Sequence, residues 1–108
     1  MDRVTQTRNR IVDITIAMSG VDRNEFFSLR NKKRYAKIRN VCISLLYNKG
    51  VHHDDIASTF KMSFQNVFYQ LTQIKKWSET PDKYSFELDL YTELEEEFKN
   101  KESELTLY

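Results

Sequence analysis

With 108 residues, 40% of them apolar, the chain can bury one hydrophobic core but hardly two, so one small domain is expected. Only two Gly and one Pro interrupt it, which excludes a turn-rich β fold and points to an all-α protein, and no apolar run approaches the roughly 20 residues that span a bilayer. The formal net charge of +1 conceals a polarity: residues 1–81 carry 14 Lys or Arg against 7 Asp or Glu, whereas residues 82–108 carry 3 against 9.

The first ten residues, MDRVTQTRNR, are polar rather than signal-like, so a soluble, cytoplasmic protein is expected. From about Val4 to Met18, the residues Val4, Ile11, Ile14 and Met18 keep a helical spacing, with Val12 and Ile16 widening the apolar face. Gly20 is a suitable stop for this helix. Asp22 then stands as an N-cap with Glu25 three residues on, and Phe26, Phe27 and Leu29 supply a short packing turn.

A third helix is predicted from near Asn31 to Asn48, with Tyr35, Ile38, Cys42, Leu45 and Leu46 on one face. Its start lies in RNKKRYAKIR, which places Arg30, Lys32, Lys33, Arg34, Lys37 and Arg39 within one ten-residue stretch. Cations at a helix N-terminus oppose the macrodipole, so this cluster calls for a reason beyond stability. A polyanion supplies one. The lone Cys42 cannot form an internal disulfide and reads as a small buried thiol.

After Lys49 and Gly50, the segment Asp54 to Trp77, DDIASTFKMSFQNVFYQLTQIKKW, has the spacing of two helices joined by a short turn, a helix-turn-helix. Ile56, Ala57 and Phe60 mark the first helix; Phe64, Val67, Phe68, Leu71 and Ile74 form one apolar stripe on the second. Gln65, Asn66, Tyr69, Gln70 and Gln73 would then face outward. Ser63 is a natural N-cap, which leaves Phe64, Gln65 and Asn66 as the first turn, the part of a recognition helix that meets base edges. Asn and Gln can pair bidentately with adenine.

Pro81, in SETPD, bars continuation of that helix. Beyond it, Tyr84, Phe86, Leu88 and Leu90 alternate as a strand would, whereas Tyr91, Leu94 and Phe98 repeat at helical spacing. The favoured reading is an acidic helix from about Phe86 to Lys101, docked through its aromatic residues. Residues 1–80 would thus form a helical DNA-binding domain, with 81–108 an acidic helix or tail packed on it. An acidic tail lying across the binding surface would weaken phosphate contact, so it packs elsewhere or tunes affinity.

Several residues invite other chemistry. His52 and His53 suggest a metal, but neighbours on a helix diverge by about 100° and no Cys or His lies at ligand spacing elsewhere, so no metal or other cofactor is expected and a loop or capping role is preferred. Asp54-Asp55 and Glu95-Glu96-Glu97 lack a Gly-rich loop, a nucleophile or a partnering His, so no enzyme activity is expected. Trp77 and Phe98 continue apolar stripes and read as core.

Taken together, IVDITIAMSG, RNEFFSLR, NKKRYAK, IRNVCISLLYNKG, IASTF and SFQNVFYQLTQI resemble the C-terminal DNA-binding domain of bacterial replication initiators, the DnaA family, whose helical core is shared with the Trp repressor. The likeness spans roughly Ile11 to Trp77. It implies a small helical bundle in which Arg39 matches the Arg opening the family's long helix, and Arg30 to Arg34 match a basic loop that enters the minor groove and contacts phosphates. The departures are specific. Where the family reads Gly-Gly-Arg-Asp-His-Thr-Thr-Val, this chain has Lys61-Met62-Ser63-Phe64-Gln65-Asn66-Val67, one residue shorter, with Phe64 at the His position and Gln65 and Asn66 at the two Thr positions. The family's target sequence therefore does not carry over. The nucleotide-binding ATPase domain and any Gly-rich phosphate loop are missing too, so a full initiator is not expected.

The expectation is sequence-specific binding of double-stranded DNA, in replication control or transcriptional regulation. Arg30, Lys32, Lys33, Arg34, Lys37 and Arg39 would grip phosphates or the minor groove, while Lys61, Ser63, Gln65, Asn66 and Tyr69 would read the major groove. One domain reads only a few base pairs, so tight specificity would need a homodimer, repeated sites or a partner protein, the last engaging the acidic tail. The alternative is a protein-interaction adaptor or antagonist that keeps the initiator-like fold without reading DNA.

Overall fold

The computed structural model describes residues 2–28 and 35–106, which form a compact all-α bundle of six helices. These are α1 (Arg3–Ser19), α2 (Arg23–Phe26), α3 (Ala36–Asn48), α4 (His53–Phe60), α5 (Phe64–Glu79) and α6 (Ser85–Thr106). Among the described residues there is no strand, and no helix is long and apolar enough to cross a membrane.

The ends of the helices are written in the local sequence. Asp2 caps α1, accepting the Thr5 N–H at 2.7 Å, and this bond holds its carboxyl below the ordinary carboxylate range. Gly20 closes the helix in the left-handed region at φ 66°, donating its N–H to the Ile16 carbonyl. Asp22 caps α2 through the Glu25 N–H at 3.0 Å. Ser63 caps α5 through the Asn66 N–H at 3.1 Å, at the position predicted.

The axis of the bundle is α3. Six consecutive residues, Val41 to Leu46, are buried, so the helix is covered all round rather than along one face. Helices α1, α4, α5 and α6 each pack against it. On α1 the buried residues are Ile11, Val12, Ile14 and Thr15; Val4 and Met18, expected on the same face, are exposed near the two ends of the helix.

Short α2 is fixed from two sides. Phe26 is fully buried and packs edge-on against Phe27 and Phe60, with ring centroids 5.2 and 5.8 Å away. Its carbonyl accepts two hydrogen bonds from the buried Arg39 guanidinium, from Nε at 3.3 Å and from an Nη nitrogen at 3.0 Å. Arg39 also lies over the Phe26 ring at 5.9 Å. Burial pushes its pKa down.

The C-terminal segment is a helix, and the strand-like alternation does not hold. Leu90, Leu94 and Phe98, four residues apart, face inward, together with Glu87; Phe86 is exposed. Helix α6 lies chiefly on α3 and α1, with a smaller contact to α5. Its docking is tied at the C-terminal end of α3, where Asn48 donates to the Tyr91 hydroxyl at 2.7 Å and Lys49 sits 3.4 Å from Glu95 and over the Phe98 ring. Between α5 and α6, Lys83 and Tyr84 donate their N–H groups to Thr80 and Pro81 in a tight turn.

Two outcomes test this packing. Arg39→Ala leaves the Phe26 carbonyl without its charged donors, so urea denaturation should show a loss of about 2–3 kcal/mol; a change within about 0.5 kcal/mol would mean that Arg39 behaves as a surface cation. Cys42 is fully buried, and burial pushes its thiol up to about 12, with the Thr15 hydroxyl opposing. The folded state thus favours the protonated thiol, so Cys42 leaves stability untouched below its ordinary value near 9.0 and weakens it as pH rises toward 12. Iodoacetamide at pH 8.5 should label Cys42 only after unfolding.

Candidate nucleic-acid interface

Helices α4 and α5 are joined by a turn with Lys61 in the left-handed region at φ 53°. The Lys61 N–H bonds back to α4, and the Met62 N–H donates to the Ala57 carbonyl at 3.0 Å, closing the turn. Val67 is fully buried and Trp77 nearly so, which sets the rotation of α5 against α4 and α3. Leu71 and Ile74 are half-buried beside them.

This rotation divides the visible surface of α5 into three strips. Gln65 and Tyr69 point away from the core, Tyr69 being 60% exposed. Asn66 and Gln70 form one edge and line a groove of about 190 Å³ with Arg39, Asn40, Phe27, Ser28 and Met62. Phe64 and Phe68 form the other edge. Periodicity puts them within the apolar stripe, but they are 43% and 44% exposed. The reason is angular: Phe64 and Phe68 stand about 60° and about 100° round the helix from Val67, so they flank the buried line, Phe68 lying along a groove between α5 and α3 with Tyr47 and Asn48.

What covers them in part is the start of α4. His53 meets Phe64 edge-on at 4.3 Å and Phe68 at 5.2 Å, and the two Phe rings lie 4.7 Å apart. His52 stacks on His53 at 3.9 Å. The divergence expected of adjacent helical histidines does not occur, because His52 is the extended N-cap of α4, outside the helical register, with Nδ1 accepting the Asp54 N–H at 3.2 Å. The capping role expected there is thus taken by His52. Donor atoms of His52, His53 and Asp54 lie within 4.8 Å of one another and are the group among the described residues that could hold a metal ion. The same Nδ1 lone pair serves the cap, and the helix N-terminus is an unfavourable place for a cation.

The predicted site residues are divided among several places. Ser63, Gln65, Asn66 and Tyr69 come together on the exposed first two turns of α5. Lys37 is exposed on the first turn of α3. Arg39 is not a surface grip: its guanidinium is buried against Phe26 and ties α2 to α3. Lys61 stands on the other side of the turn, in a groove shared with Arg8, Arg23 and Thr59. Arg30, Lys32, Lys33 and Arg34 lie outside the described residues, and the third helix begins at Ala36 after the N-cap Tyr35, later than the expected start near Asn31.

The Lys61 backbone provides a test of the turn. A Cβ in the left-handed region costs about 1 kcal/mol, a strain that Gly does not carry. Lys61→Gly should therefore stabilise the fold by about 0.5–1 kcal/mol and raise the urea midpoint, and a lowered midpoint would show that the turn is built differently.

A comparison of the chain with protein-family models, with curated proteins and with solved structures gave no match in any of the three.

Proposed function

We propose that this chain binds double-stranded DNA sequence-specifically through the α4–α5 helix-turn-helix, as a relative of the DNA-binding domain of DnaA-type initiators, in replication control or transcriptional regulation. The observation that carries the reading is the first two turns of α5: Ser63, Gln65, Asn66 and Tyr69 stand clear of the core at the end of the helix that base reading would use. The amide side chains suit adenine. Lys37 stands near the start of α3, directly after the Arg30 to Arg34 basic stretch in sequence, and these cations would neutralise phosphates. Arg39 acts in this scheme as a positioning residue, holding α2 against α3. Helix α6 carries half of the acidic residues and lies chiefly on α3 and α1, with a smaller contact to α5, so its charge is placed mainly away from α5.

A second reading, an adaptor that binds a partner protein, is favoured by the exposed aromatic edge of Phe64 and Phe68, with the exposed Tyr47 beside Phe68 across the groove to α3.

Fluorescence titration with random and with enriched duplex DNA at several salt concentrations separates the two. Lys32→Ala/Lys33→Ala should flatten the slope of log affinity against log salt by about 0.9 for each phosphate no longer neutralised. Gln65→Ala/Asn66→Ala should lose preference between duplexes, at about 1–3 kcal/mol for each base pair read, while keeping the salt slope. No binding to any duplex at low salt would rule out the DNA reading.

A further inference from the structure

Two phenylalanines on a recognition helix have little reason to be left in water. Phe64 is the first residue of α5, flanked by the cap Ser63 and by the amides Gln65 and Asn66, and Phe68 lies one turn further along the same edge. Both are more than two-fifths exposed, the His53 ring covering them only in part. The edge is apolar and held in place by ring contacts before any ligand arrives.

We infer that this edge contacts the 5-methyl groups of thymine in the major groove, so that the chain selects A·T pairs. This rests on the DNA-reading proposal and deepens it. Gln and Asn recognise adenine through N6 and N7, and the partner of adenine presents in the same groove the one apolar group that a base pair offers there. A phenyl edge beside an amide pair therefore reads the two halves of neighbouring A·T pairs, one by hydrogen bonds and the other by apolar contact. Guanine and cytosine offer Phe64 no methyl and leave the amides mismatched. The polar edge of Asn66 and Gln70 lies on the opposite flank, so the two kinds of contact do not compete for one position.

Uracil differs from thymine only by that methyl, which makes the idea directly testable. Duplexes are enriched from a random pool by the full chain, and each thymine of the enriched site is then replaced in turn by uracil. For the parent, at least one replacement should weaken binding about fourfold, the worth of one buried methyl-sized group. The same replacement should cost Phe64→Ala nothing, and Phe64→Leu, which keeps an apolar side chain, should retain part of the effect. Circular dichroism of both variants checks that the helices are intact, as expected for a surface position. If uracil costs the parent nothing, or costs the parent and Phe64→Ala equally, the inference is overturned and the aromatic edge belongs to a protein-binding face. An enriched site without thymine overturns it as well. Failure to enrich any duplex also overturns it, and is told apart because the DNA-reading proposal then fails before uracil is introduced.

Discussion

The arrangement depends on the burial of α3 on every side. An amphipathic helix needs one partner; a helix with six consecutive buried residues needs several, and α1, α4, α5 and α6 supply them. The surrounding helices share this axis and also brace one another in pairs, α4 with α5 and α1 with α6. Polar contacts at its two ends complete the assembly. At the N-terminal end Arg39 grips the Phe26 carbonyl and so fixes α2; at the C-terminal end Asn48 and Lys49 meet Tyr91, Glu95 and Phe98 and so fix α6. The partly exposed Lys49–Glu95 pair adds little stability by itself, but it selects the register at which α6 docks.

That geometry also sorts charge. Helix α6 bears half of the acidic residues and is held by the far end of α3 and by α1, whereas the basic stretch precedes and opens α3 in sequence. A net charge near zero thus coexists with two regions of opposite sign. For a polyanion the relevant quantity is the local field near the start of α3 and α5, since charges beyond roughly 10 Å are screened at ordinary ionic strength.

Much of this is legible in the sequence, and the parts that are not share a cause. Caps at Asp22 and Ser63, the stop at Gly20 and the break at Pro81 are local events, set by a few neighbouring atoms, and they occur where the residues indicate. Periodicity shows that Phe64 and Phe68 share a face with Leu71; it cannot show that Val67 is buried while both Phe rings stay more than two-fifths exposed. The same blindness applies at Val4 and Met18, which continue the stripe but are exposed. Arg39 belongs to a basic cluster in sequence, and nothing local tells that one guanidinium of the six turns inward to a carbonyl 13 residues away. As helical neighbours His52 and His53 would diverge, but the cap takes His52 out of the helix, and their rings stack.

The turn between α4 and α5 decides which side chains of α5 face outward. After Phe60 the chain puts Lys61 into the left-handed conformation and reaches the Ser63 cap two residues later. The rotation of α5 is anchored from within by Val67. Gln65 and Tyr69 then stand in front, with Asn66 and Gln70 on one flank and Phe64 and Phe68 on the other. The outward strips can change without disturbing the packing, because the buried anchor and the exposed side chains alternate along one helix and are free to vary independently.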